Sequence, residues 1–323
     1  MLYPFTFQPR FKERVWGGRN LERLYGKPLP PAQVIGESWE ITDRFDDVSL
    51  ITNGPLAWHD LRWLMENHAA QLLGNARPLN GRFPLLIKLL DAQEKLSLQV
   101  HPPAAQAAEL NGEPKTEMWY IADAAPGAEL YVGLKRGVTR AAFERRIQDG
   151  SVAECFHRVP VTAGDVMFLP SGRVHAIGAG LVLFEIQQNS DTTYRVFDWN
   201  RVGLDGKPRQ LHVRESLASI DFNDFEPGLV KSAFIETSGL RTRPLVRDPL
   251  FTVHEMVATP GTIVPLAPGL MQIIACLRGQ LVVTHHDLHE ELTAGQFCLV
   301  PAAIEGVRLH AETEAAFLRT IAG

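Results

Sequence analysis

Four side chains of this chain have the types and spacing to grip one metal ion. Gln99 and His101 flank a single valine, Glu117 follows sixteen residues after His101, and His175 stands five residues past Pro170. Two imidazoles, a carboxylate and an amide oxygen make a mixed nitrogen and oxygen set. Such a set suits a divalent first-row metal, Zn²⁺ first and Mn²⁺ or Fe²⁺ after it. Gln99 and His101 are two apart, so on a strand they leave the same face. Gly164 and Pro170 bracket a strand over 165–169 with a turn at each end, and His175 falls on the strand after it. Lys115 precedes Glu117 by two residues and is expected to point into the same cavity. A Met-Trp-Tyr run follows Glu117, which predicts burial, and a buried carboxylate needs a cation beside it.

These residues need short strands to carry them, and the rest of the chain supplies strands. Pro and Gly are frequent (22 and 26), and most apolar runs are short and β-branched or aromatic, so mostly β structure is predicted. Apolar residues recur at three- and four-residue steps over 56–73 and again over 139–155, where Thr139 suits an N-cap. Both segments are predicted as helices packed beside a barrel. An internal repeat aligns Thr162-Ala-Gly-Asp-Val-Met-Phe-Leu-Pro170 with Thr293-Ala-Gly-Gln-Phe-Cys-Leu-Val-Pro301. The pattern predicts two antiparallel barrels of the cupin jelly-roll kind, the first with helical additions. Turn residues over 221–227 place the boundary near 235, giving a metal-binding catalytic domain over 1–234 and a small C-terminal one over 235–323. Five residues past Pro301 stands Gly306 where the first copy has His175, so the metal belongs to the first barrel and the second is structural.

Composition removes several classes of function. With 323 residues, 45% apolar and 21% charged, the chain reads as an ordinary globular protein with room for two cores. A net charge of −5 and the lack of a Lys/Arg cluster interleaved with aromatics give no field for nucleic acid. No apolar run is long enough to span a bilayer; the run over 84–90 is short and broken by Lys88. The first twenty residues carry Arg10, Lys12, Arg14 and Arg19 without an apolar core, so no secretion signal is expected. Cys155, Cys276 and Cys298 are odd in number and scattered, which argues against a disulfide framework and for the cytoplasm.

Beyond the metal set, Arg195 follows the polar Asn189-Ser190-Asp191 patch and precedes Val-Phe. Its planar fork suits a phosphate or charge developing on a substrate. Glu185 lies ten residues after His175 and ten before Arg195, an even spacing that keeps a common face on a strand. His285-His286-Asp287-Leu-His289-Glu290 is read as a polar hairpin tip, because adjacent histidines on a strand face opposite sides and do not chelate together. Trp39, Trp119 and Trp199 are expected in a core or a pocket wall.

The segments Gln99-Val-His101-Pro, Lys115-Thr-Glu117-Met-Trp-Tyr and His175 together resemble the type I mannose-6-phosphate isomerases of the short bacterial form, members of the cupin superfamily. The stretch from Glu185 through Asp191 and Arg195 to Asp198 is similar to a specific segment of that family, as are Trp16-Gly-Gly and Gly36-Glu-Ser-Trp-Glu40. The resemblance covers roughly 1–220; beyond it only a plain cupin barrel is matched. It implies one zinc held by Gln99, His101, Glu117 and His175, with Glu185 and Asp191 in the cavity. It also implies a phosphosugar substrate, mannose 6-phosphate converted reversibly to fructose 6-phosphate through a cis-enediol(ate). Such chemistry needs a cation to stabilise the enediolate, a general base on one face and an anchor that orients the reacting carbons. The base stays open among Lys115, Glu185 and Asp191. Two other readings of the same ligands are a metal-dependent cupin oxygenase and a sugar-binding or sensing cupin without turnover. Oligomeric state is not legible.

Overall fold

The segment Leu85–Ala92 reads LLIKLLDA, without the in-out alternation of a half-exposed strand, because both of its faces are covered. In the computed structural model, which describes residues 2–323, it is the third strand of a six-stranded antiparallel sheet. The order is Arg10–Gly18, Ile35–Ile41, Leu85–Ala92, Leu181–Gln188, Glu117–Ala124 and Val166–Leu169. Leu85, Ile87 and Leu89 leave one face, where they pack with Met118, Tyr120, Phe184 and the C-terminal barrel. Lys88 and Leu90 leave the other, Leu90 joining Trp119, Ile121, Met167 and Leu183 inside the first barrel.

A five-stranded sheet closes that barrel, in the order Tyr194–Phe197, Leu98–Val100, His175–Ile177, Glu129–Leu134 and Phe156–Pro160. Its alternation is clean. Leu130, Val132 and Ile177 face the barrel interior. Leu98, Val100, Tyr131, Ala176, Tyr194 and Val196 face outward, under Phe143, Val152, Cys155 and Ile220 from the helical additions. The repeat is structural as well: Val166–Leu169 and Phe297–Val300 occupy the same edge of two equivalent six-stranded sheets. The second sheet runs Ile235–Thr237, Leu240–Arg247, Phe251–Ala258, Ala315–Ala322, Gln272–Arg278, Phe297–Val300. It is backed by Ile263–Pro265, Arg308–Ala311, Gln280–His285 and Leu288–Thr293. The protein is therefore mostly β, with two cupin barrels packed back to back. Phe184 meets Phe297 at 5.6 Å between ring centroids and Phe168 meets Phe251 at 6.5 Å.

Both predicted helices are shorter than their apolar patterns. Helix Leu61–Leu73 begins only after Asp60, whose side chain accepts from Trp63 N at 2.7 Å. Leu56 to His59 form a turn instead, with Trp58 at φ 72°. The 139–155 segment is two elements. Thr139 caps helix Arg140–Asp149 as expected, Gly150 ends it at φ 80°, and a 3₁₀ turn spans Val152–Cys155. Among the described residues no helix is long and apolar enough to cross a membrane.

Candidate active site

Sheet register assembles the metal cluster. His175 pairs with Gln99, and Gln99 pairs with Arg195, so these three side chains form one row on the inner face of the five-stranded sheet. His101 lies one residue past the end of its strand, and Glu117 enters from the opposite sheet. His175 Nε2 is 3.3 Å from Glu117 Oε1, His101 Nε2 is 3.7 Å from the same oxygen, and the Gln99 amide is 3.3 Å from His175 Nε2. Ligands at zinc bonding distance on a tetrahedron stand about 3.3–3.5 Å apart. The tautomers are set from behind. His101 Nδ1 donates to Thr192 O at 2.7 Å and His175 Nδ1 donates to Arg173 O at 2.9 Å, leaving both Nε2 lone pairs turned toward Glu117. His101 Nε2 and Glu117 Oε1 are buried without a hydrogen-bond partner. Orphaned acceptors converging on one point fit a cation there.

The local field keeps these groups in their metal-binding forms. Burial, then the nearby Lys115 ammonium, pushes the His101 imidazole down to about 4, and burial lowers His175 as well. For Glu117, burial acts to raise the carboxyl, but Lys115 and the two histidines outweigh it and hold it well below its ordinary value. Lys115 Nζ lies 2.6 Å from Glu117 Oε2. That ion pair overrides desolvation and raises Lys115 above its ordinary value, so it stays an ammonium.

Next to the cluster, a second row crosses the six-stranded sheet: Trp39, Lys88, Glu185 and Trp119 are successive cross-strand neighbours. Lys88 Nζ sits 3.3 Å from Glu185 Oε2 and 3.5 Å from Glu37 Oε2. Trp119 Nε1 donates to Glu185 Oε1 at 2.9 Å, and its ring stands edge-on to His175 at 5.3 Å. Glu37 also accepts from Trp39 Nε1 at 2.6 Å and Arg14 Nε at 2.8 Å. Despite burial, Lys88 and Arg14 hold the Glu37 carboxyl well below its usual range. A cavity of about 550 Å³ opens over both rows, large enough for a sugar phosphate.

Every residue singled out for chemistry in this barrel is near that cavity, in different roles. Gln99, Lys115, Glu185, Asp191 and Arg195 line it, while His101, Glu117 and His175 are buried next to Gln99 and Lys115, outside the lining itself. Asp191 is exposed at the rim. Arg195 is half-buried, donates Nη1 to Gln210 O at 2.9 Å, and keeps a buried Nε without a partner. Lys88, Glu37, Arg14 and Arg209 also line the cavity and were not singled out. The signal for Lys88 was the run that it interrupts: a lysine between two Leu pairs in a doubly covered strand must be buried, and a buried ammonium needs partners. His285, His286 and Asp287 form the predicted hairpin tip, with His286 at φ 53°.

Known proteins are similar to this chain in sequence and in fold. The family of phosphomannose isomerase type I catalytic domains matches residues 5–143. A mannose-6-phosphate isomerase of Streptococcus mutans serotype c is 34% identical over 316 residues, 97% of each chain. The chain belongs to the type I mannose-6-phosphate isomerases. Mannose-6-phosphate isomerase ManA of Bacillus subtilis is 42% identical over 220 residues, 68% of each chain. A crystal structure of the mannose 6-phosphate isomerase from Bacillus subtilis superposes with a TM-score of 0.90 at 28% identity, covering 99% of both chains. The protein is thus an isomerase, which sets aside a sensor without turnover. The likeness also runs further than residue 220: the Streptococcus mutans match takes in the second barrel.

Proposed function

We propose that this isomerase converts mannose 6-phosphate to fructose 6-phosphate through a cis-enediol(ate), with Gln99, His101, Glu117 and His175 holding one divalent metal, Zn²⁺ first. The observation that carries the reading is the set of buried, unpartnered acceptors on His101 and Glu117, aimed at the same point as His175 Nε2. A half-turn of the Gln99 amide brings its oxygen to that point. The bound cation supplies positive charge that lowers the cost of an enediolate. Lys115 stays protonated against Glu117, so it serves as a donor to substrate oxygens rather than as the base. Asp191 at the rim is positioned to meet the closed sugar and assist its opening. That leaves Glu185, with Lys88 beside it, as the pair that takes the C2 proton and returns it at C1. Arg195, with a free buried Nε and with Arg209 also lining the cavity, anchors the phosphate.

A cytoplasmic setting accords with three buried cysteines, none of them in a disulfide. The oxygenase reading has no observation in its favour. Metal content before and after chelation, with turnover of mannose 6-phosphate at each stage, tests the proposal. His175→Ala is expected to lose both bound metal and activity; full activity in that variant overturns it.

A further inference from the structure

The second barrel has a polar cluster at the position that holds the chemistry of the first. Register makes the comparison residue by residue. In the first barrel Leu169 pairs with Glu117, Met167 with Trp119, Trp119 with Glu185, and Glu185 with Lys88. In the second, Val300 pairs with Gln272, Cys298 with Ile274, Ile274 with Arg319, and Arg319 with His254. The aligned repeat makes Cys298 the counterpart of Met167. Gln272 therefore stands for Glu117, Arg319 for Glu185 and His254 for Lys88. Two carboxylates have become an amide and a guanidinium, which removes a cation site and leaves positive charge.

That charge faces inward. Phe251 and Glu255 contact Phe168 and Tyr120 of the first barrel, so His254 between them turns to the opposite face, the interior of the second. Phe297 likewise meets Phe184, which sends Cys298 and its row inward. Arg319 is half-buried and donates Nε to Gln272 Oε1 at 2.7 Å, and among the described residues it forms no ion pair. Burial alone lowers it, with no carboxylate acting on it. His254 is lowered by burial and then by Arg319 and Arg247, and its Nδ1 is buried without a partner. His254 and the exposed Arg247 line an open cavity of about 400 Å³ with Leu240, Thr242 and Pro244, and Arg319, outside that lining, is the cross-strand neighbour of His254. A half-buried guanidinium without a counter-charge, beside an imidazole nitrogen without a partner, calls for an anion.

We propose that the second barrel binds an oxyanion, a phosphate group, at Arg319, His254 and Arg247. Free phosphate and the phosphate of the sugar substrate share this chemistry. Equilibrium dialysis of the whole chain with labelled inorganic phosphate, at constant ionic strength, tests it. The wild type is expected to bind one equivalent more than Arg319→Gln, while both turn over mannose 6-phosphate at the same rate. Arg319→Lys is expected to restore that equivalent with about tenfold weaker affinity, because the charge returns without the fork. If Arg319→Gln melts early, the double variant His254→Gln, Arg247→Gln takes its place with the same expectation. Equal phosphate binding by wild type and folded variants overturns the proposal. Where it holds, displacement of the Arg319-dependent equivalent by mannose 6-phosphate at lower concentration than by unlabelled phosphate identifies a sugar phosphate; the reverse order identifies free phosphate.

Discussion

Replacing Lys88 by Met separates the chemistry of the buried row from its stability. The ammonium is 5% exposed and is shared by Glu185 at 3.3 Å and Glu37 at 3.5 Å. Glu37 keeps Arg14 and Trp39 when Lys88 goes, but Glu185 keeps only the Trp119 indole as a hydrogen-bond donor, with the Lys115 ammonium acting on it from beyond ion-pair distance. Breaking a buried pair from one side costs about 3–5 kcal/mol, because the remaining charge is stranded. Lys88→Met is therefore expected to lose about 3–5 kcal/mol relative to wild type. The double variant Lys88→Met, Glu185→Gln is expected to recover most of that loss, since no charge is left stranded. Both are expected to turn over roughly 10²–10⁴-fold more slowly, the usual share of general acid–base catalysis. Urea unfolding, with a coupled assay of fructose 6-phosphate, checks this. A deficit below about 1 kcal/mol, or a double variant no more stable than the single one, refutes the argument.

Acid should destabilise the metal-free protein before its carboxylates titrate. Unfolded His101 takes a proton near 6.5 and the folded imidazole only near 4, so stability falls as pH drops through that window, by roughly 1 kcal/mol per pH unit. A urea midpoint that stays level or rises between pH 6.5 and 4.5 contradicts this. Gly178 follows the His175 strand, and a Cβ there would stand 2.0 Å from Glu129 O, a backbone atom. Gly178→Ala is expected to cost more than about 2 kcal/mol and to reduce bound metal. Gly164→Ala, at φ 92° in open space, should cost about 1 kcal/mol and leave metal content unchanged; thermal melts with metal analysis compare the two.

How much was legible depended on whether a residue announced its own environment. Gln99 and His175 did, because each sits on a short strand set off by turn residues, and His101 did through its two-residue spacing from Gln99, although it lies one residue past that strand. Glu37, Lys88 and Glu185 lie on three strands far apart in the chain, and only the register of those strands makes them neighbours. Position along the sequence holds no trace of that register. The fold class was legible through the repeat, since a second Thr-Ala-Gly strand ending in Pro repeats a structural unit. The helix starting at 56 was not, because Leu56 packs in a turn held by the Tyr3 hydroxyl, and an apolar residue fixing a turn has the same letter as one on a helix.

We propose the division of the chain at 234/235 as one of topology, and the packing argues that it is not one of folding. The outer face of the first six-stranded sheet, with Leu85, Ile87, Leu89, Phe184 and Ile186, belongs to one apolar cluster with Phe251, Phe297 and Leu299 of the second barrel. Polar groups cross the same seam: Tyr120 hydroxyl to Glu255 at 3.2 Å, and Arg243 to Gly164 O at 2.9 Å. The chain also crosses it, since Phe5 and Leu299 exchange backbone hydrogen bonds at 2.8 Å. A sheet with one face lining the cavity and the other against a second barrel has no broad solvent face left. A 1–234 fragment is therefore expected to expose the Leu85–Ala92 strand's outer leucines and aggregate. The 235–323 fragment would in turn lose the cover over Phe251 and Phe297. Co-expression of the two pieces is expected to restore soluble, active protein. Separate solubility of the 1–234 piece with full turnover would show that the second barrel contributes nothing to holding Lys88 and Glu185 in place.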